Sequence, residues 1–458
     1  MADVAGAGPP RRMWAPRAWV QGHWHESVLL EVGATGTWTT VAPDTPHTPD
    51  MTTLPGPVLP GMVNAHSHAF QRAFVGLAER RDGEHDDFWS WRDRMYGVAL
   101  TITPERLREV ATHLYAELLR GGYTQVCEFH YLHRASDGGL YDDPLAMSRA
   151  LVQAAQHAGI GLTLLPVLYE RAGFDAAGLR SDQRRFATTV DDVLALRDGV
   201  RALNLPNVSA GVAIHSLRAA RASSILSLAE RTAGDAAPIH IHIAEQTGEV
   251  DDCVVASGLR PIDWLAKHVA LDARWQLVHA THATVDEIGA VAASGAGVVL
   301  CPSTEANLGD GLPDLPRWLA AGTPLSIGSD SQVTRDWREE IRLLEYGQRL
   351  TLRRRNVAAA PQAGAPSTAA RLFERLLAGG AAAAAMGAWG LQVGARADLT
   401  VVDASDPALA ERDGDSLLDT MVFSSPTLAF ARVMVGGRWV ATTGPLASQQ
   451  RTERNKGA

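Results

Sequence analysis

Histidines and carboxylates recur in this sequence at the ends of short apolar runs. The first set, His66-Ser67-His68, directly follows Gly61-Met62-Val63-Asn64-Ala65. The second is His240-Ile241-His242 with Glu245 three residues on, the third His279 with His282, and the fourth Asp330 between Ser329 and Ser331. Residues two apart on a strand project from one face, so His66 and His68 can share one ion. A cation held by imidazoles and a carboxylate, with one position open, can activate water for hydrolysis. Any single buried histidine more often satisfies its ring nitrogens locally. Four separate runs that all end in ligand-type residues argue instead for a shared centre.

Such residues converge only if their runs are strands of one sheet with the C-terminal ends on one side. Eight runs read as strands: Pro57–Asn64, Gln125–His130, Gly161–Leu168, Val208–His215, Pro238–Ile243, Gln276–His279, Gly297–Cys301 and Pro324–Ile327. Helical stretches such as Pro104–Leu119, Pro144–Ala158, Asp191–Leu203 and Ser223–Thr232 fill the gaps. This alternation is the signature of βα units and a parallel sheet, and eight units favour a closed (β/α)8 TIM-type barrel. Barrel active sites sit at the C-terminal strand ends, where the four sets fall.

The chain ends read differently. Ala18–Val20, Val28–Val32 and Thr37–Val41, and later Ala397–Asp403, Ala429–Val435 and Arg438–Val440 beyond the Gly436-Gly437 turn, are short β-type runs between turn residues. They are expected to pair into one small β-sandwich domain. The expected division is residues 1–56 and 390–458 in the sandwich and tail, and 57–389 in the barrel. The tail from Ser448 to Ala458 is polar and expected to fray.

Composition narrows the function classes. A chain with 46% hydrophobic and 20% charged residues can bury a large core. Its formal net charge of −9 argues against capture of nucleic acid or anionic membrane, so a small-molecule substrate is expected. Cys127, Cys253 and Cys301 are scattered and odd in number, which fits a reducing cytoplasm. Trp14–Gly22 is too broken by Pro, Arg and Gln to be a secretory core, and Ala381–Ala385 is too short to span a bilayer. A soluble cytoplasmic protein is expected, with a homodimer as its assembly.

The run His66-Ser67-His68, the His242-Ile-Ala-Glu245 element, His279 and Ser329-Asp330 together resemble the amidohydrolase superfamily. Within it, the string from His66 to Phe74, Trp89-Ser-Trp-Arg92, Glu128-Phe-His-Tyr131 and His215-Ser-Leu-Arg218 are similar to the N-formimino-L-glutamate deiminases. Those enzymes act in histidine breakdown, releasing ammonia and leaving N-formyl-L-glutamate. The resemblance implies one divalent ion, most often zinc, on His66, His68, His242 and Asp330. It implies catalytic roles for Glu245, His279 and Asp330, and a substrate clamp of Gln71, Arg92, Tyr131, His215 and Arg218. No strand end offers the lysine that two-metal relatives need. His240 and His282 are read as core or supporting histidines. The alternative within the superfamily is an aromatic aminohydrolase acting on guanine, cytosine or an adenosine derivative, but a flat neutral base has no use for two guanidiniums.

Overall fold

The computed structural model of the chain describes residues 12–81, 87–425 and 428–441, so the expectation for the tail from Ser448 lies outside the described residues. Eight parallel strands follow one another around a barrel in chain order: Met62–Ser67, Tyr123–His130, Gly161–Leu168, Val212–Ile214, Ile239–Ile243, Trp275–His279, Gly297–Leu300 and Leu325–Ile327. A parallel bridge between Ser67 and Asp330 joins the last strand to the first. Helices cover the outer face and side chains fill the interior, so every residue of these strands is buried. That is why the strands read as continuous apolar runs with no alternation.

The helices end where local chemistry dictates. Helix Pro104–Arg120 starts with Pro104 and is capped by the Thr103 hydroxyl, which accepts from the Arg106 amide. Its buried stripe of Leu107, Val110, Leu114 and Leu118 follows the helical repeat and faces the barrel. Helix Thr368–Ala383 crosses the seam between the last and first strands. A methyl group at Gly379 would lie 1.8 Å from the Leu325 carbonyl oxygen, and one at Gly380 would lie 2.9 Å from the Val63 Cβ. Only glycine permits so close an approach. Among the described residues no helix is long and apolar enough to cross a membrane.

The two chain ends build a separate sheet, as expected. From one edge it runs Arg438–Val440, Phe430–Val435, Leu399–Val402, Val58–Pro60, Arg12–Val20, His23–Val32 and Trp38–Ala42, with Thr52–Thr53 paired to Arg12–Val20. Its core includes Met13, Leu30, Trp38, Val58, Leu399 and Met434.

Three expectations need correction. The run Pro57–Asn64 is two strands, because Val58–Pro60 pairs with Leu399–Val401 and Ala18 in the small sheet before the chain enters the barrel at Met62. The hand-over is at Gly61, where a Cβ would sit 2.1 Å from the Thr124 hydroxyl. The run Val208–His215 also breaks, at Gly211, whose Cβ would lie 2.4 Å from the Pro238 carbonyl oxygen. Finally, helix Asp415–Phe423 lies within the C-terminal segment, yet it buries Leu417, Leu418, Met421 and Val422 in the barrel's own core.

Candidate active site

Three imidazoles meet at the C-terminal mouth of the barrel. His66 and His68 come from the first strand and its end, and His242 from the fifth. The His66 Nε2 lies 3.1 Å from the His68 Nε2 and 2.9 Å from the His242 Nε2. The His68 Nδ1–H donates to the Phe129 carbonyl at 2.8 Å and the His242 Nδ1–H to the His215 carbonyl at 3.0 Å. A carbonyl can only accept, so both Nε2 atoms carry lone pairs. Burial keeps all three rings neutral by lowering their proton affinity. Lone pairs converging at this range repel one another unless a cation sits among them. Tetrahedral zinc with bonds of about 2.0–2.1 Å holds its nitrogen ligands roughly 3.3 Å apart, close to the observed spacing. Asp330 stands beside this cluster, with Oδ1 3.3 Å from the His68 Nε2 and 3.6 Å from the His66 Nε2, and it groups also with His279 and Cys301.

The donors are held by a buried network. The Asn64 amide brackets Ser329, giving to its hydroxyl at 2.7 Å and accepting from its backbone N–H at 2.9 Å. Gln332 accepts from the Ser329 hydroxyl and donates to the Ser67 hydroxyl and the Asp330 carbonyl. Ser67 in turn donates to Glu128, which also accepts from the Ala69 amide and the Tyr115 hydroxyl. Strands one, two and eight are thereby locked together behind the ligands. Ala244, His279, Ala280, Asp330 and Gln332 all have positive φ, between 44° and 71°, at the ends of strands five, six and eight. Strained non-glycine backbone concentrated at one rim is characteristic of a functional site.

Acid–base groups surround the open side. Burial pushes the Glu245 carboxyl up to about 7. The His279 Nε2 lies 3.7 Å from Glu245 and 3.7 Å from Asp330, while its Nδ1 lies 3.4 Å from Glu305. Burial opposes the imidazolium, but these three carboxylates outweigh it and hold His279 up at about 10. Cys301 can also approach His279 and Asp330, but burial raises its proton affinity, so it stays a neutral thiol and a poor ligand.

One cavity of about 50 Å³ gathers His68, His242, Glu245, His279 and Asp330 with Gln71, Arg92, Tyr131, His215 and Arg218. His66 lies fully buried behind them. The Arg92 guanidinium is oriented by Asp93 at 3.0 Å. Arg218 is only 8% exposed, and its guanidinium has no hydrogen bond or salt bridge among the described residues. A buried cation without a partner is costly, so an anion is expected to complete it. The Gln71 amide donates to the Tyr131 hydroxyl at 3.0 Å, leaving its own oxygen unpartnered. His240 and His282 lie outside this cavity. His240 donates from Nε2 to the Ala383 carbonyl at 2.9 Å, deeper in the barrel, and the His282 ring lies beside Gly311.

The sequence profile of the amidohydrolase family matches residues 58–440. The chain belongs to the amidohydrolase family. This amidohydrolase is 46% identical to formimidoylglutamate deiminase of Pseudomonas aeruginosa over 96% of its own length and 97% of the relative's. It is 28% identical to a 5-methylthioadenosine/S-adenosylhomocysteine deaminase of Natronomonas pharaonis, covering 87% of this chain and 86% of that one. A crystal structure of an amidohydrolase from Brucella melitensis superposes with a TM-score of 0.90 at 40% identity, covering 97% of both chains.

Several residues of the amidohydrolase site were not singled out from sequence. Phe88, Trp91, Met95, Tyr96, Thr304 and Leu308 also line the cavity. Glu305 backs His279, and Glu249 accepts from the Ala244 and Glu245 amides to hold the Glu245 loop. Glu305 stands four residues after Cys301, in the short helix Pro302–Leu308 that follows strand seven directly. The strand-end rule that found the other sets points there too.

Proposed function

We propose that this amidohydrolase hydrolyses N-formimino-L-glutamate to N-formyl-L-glutamate and ammonia. The observation that carries the reading is the unpartnered, buried Arg218 on the wall of the cavity that holds the imidazole cluster. With Arg92 it offers two guanidiniums to a substrate with two carboxylates, through paired charge-assisted hydrogen bonds. Likeness to the Pseudomonas deiminase over nearly the full length supports the same substrate.

His66, His68, His242 and Asp330 would hold one divalent ion, most readily zinc. Such an ion lowers the pKa of water toward about 7 and so supplies hydroxide at neutral pH. A single ion is favoured because Lys267 lies on helix Pro261–His268 and not at a strand end. Water adds to the formimino carbon and the bond from that carbon to the terminal nitrogen breaks. Asp330 takes the proton that water loses. Glu245, with a proton affinity near neutrality, gives a proton to the imino nitrogen as water adds; when the carbon–nitrogen bond breaks, the proton held by Asp330 passes to that nitrogen, which leaves as ammonia, and the second water proton returns to Glu245. The His279 imidazolium hydrogen-bonds the oxygen on which negative charge develops. Gln71, Tyr131 and His215 complete the clamp around the glutamate moiety.

A place in histidine breakdown, a cytoplasmic setting and a homodimer belong to the same proposal. The cytoplasmic reading rests on three free, buried cysteines, and sedimentation of the purified protein tests the dimer. The reaction itself is tested by identifying both products of N-formimino-L-glutamate. Ammonia with N-formyl-L-glutamate is expected, whereas formamide with glutamate would mean that the other carbon–nitrogen bond is cut.

A further inference from the structure

The two clamp arginines share one aromatic ring. The Cζ of Arg92 lies 4.7 Å, and that of Arg218 5.1 Å, from the ring centroid of Trp89. Trp89 sits in the first turn of helix Phe88–Ala99, where the Asp87 carboxylate caps its backbone N–H. Its ring edge reaches helix Thr247–Ser257, close enough that a Cβ at Gly248 would lie 4.0 Å from the Trp89 Cζ2. The indole therefore joins the arginine-bearing helix, the loop after strand four and the helix that follows Glu245.

Two guanidiniums against one ring repel each other, and both persist there only if something nearby compensates. Arg92 has Asp93 and a second ring, Tyr96, at 5.5 Å. Arg218 has neither ion pair nor hydrogen bond among the described residues; Glu245 and Glu249 attract it through space, and the Trp89 ring is in contact with it. Trp91 also lines the cavity, but it stacks on Phe88 and meets the edge of Phe74.

We propose that Trp89 is a specificity-determining positioning residue, whose indole ring pre-sets the Arg92 and Arg218 guanidiniums for a ligand with two carboxylates. This rests on the proposed function for the identity of that ligand. A pre-set pair avoids ordering two long side chains at the moment of binding, and so selects dicarboxylates over amidines that lack carboxylates. Trp89 need not touch the reacting atoms.

Two variants and two readouts test this role. Trp89→Leu keeps apolar bulk without a π face, and Trp89→Phe restores a smaller one. By calorimetric titration with N-formyl-L-glutamate, Trp89→Leu is expected to bind about tenfold more weakly than wild type and Trp89→Phe in between. The ratio of kcat/KM on N-formimino-L-glutamate to kcat/KM on N-methylformamidine should fall about tenfold in Trp89→Leu, with the loss on the glutamate substrate residing in KM. An affinity in Trp89→Leu within twofold of wild type would overturn the role. So would parallel losses on both substrates, which mark a residue that merely supports the rim. A wild-type protein that binds N-formyl-L-glutamate yet releases no ammonia from N-formimino-L-glutamate would end the proposed reaction and leave the Trp89 role standing. One that binds no dicarboxylate would end that role.

Discussion

The proposed mechanism gives Glu245 and His66 different work, and substitution separates them. Glu245→Gln should keep the ion and lose turnover by roughly 10²–10⁴-fold, since an amide cannot cycle a proton. His66→Ala should lose the ion as well, as elemental analysis would show; a metal-free Glu245→Gln would make that carboxylate a ligand. Arg218→Ala removes a charge-assisted hydrogen bond worth about 1.5–3 kcal/mol, so kcat/KM on N-formimino-L-glutamate should fall roughly 10- to 150-fold. Metal content should not change; a loss below about twofold would place the substrate carboxylates elsewhere. At this scale the sequence was informative wherever chemistry needs a rare residue at a strand end, as with His66, His68, His242 and Asp330. Glu305 and Glu249 follow strand ends within a few residues and were passed over, whereas Tyr96 reaches the site from helix Phe88–Ala99, an element no strand-end rule marks.

The strands matter most at the seam where the last meets the first. A Cβ at Gly328 would lie 2.6 Å from the His66 Cβ and 2.8 Å from its carbonyl oxygen, so the two strands approach only because that position is glycine. Gly328→Ala should force them apart, destabilising the fold by about 1–3 kcal/mol and displacing His66. A lower melting temperature together with a lower metal content is the expected result; an unchanged protein would mean that the seam yields freely. Strands and helices were largely legible because buried parallel strands and amphipathic helices leave distinct patterns. What a pattern cannot tell is which sheet an apolar run joins. Val58–Pro60 and Met62–Ser67 form one continuous run, and only the close contact of Gly61 with Thr124 divides it between sheets. The break at Gly211 has the same origin, a backbone approach from Pro238 far along the chain.

At the scale of the whole molecule, the barrel core is extensive and continuous from Trp19 to Val435, so the fold should not depend on the ion. Chelation is expected to abolish turnover, leave the circular dichroism spectrum intact, and be reversed by added Zn²⁺. Full activity in a verified metal-free sample would contradict the mechanism. The pairing of the two chain ends into one sheet was legible from matching β-type runs, whereas the burial of helix Asp415–Phe423 in the barrel core was not, because its apolar residues carry no mark of their partner. The proposed function requires one cavity to combine a water-activating centre with a clamp for two carboxylates. Its most direct test is ammonia release from N-formimino-L-glutamate, guanine, cytosine and adenosine, measured side by side on the metal-loaded protein. A site built around paired guanidiniums should favour the dicarboxylate in kcat/KM by roughly 10⁴-fold or more; equal or faster turnover of any of the three uncharged compounds would contradict it.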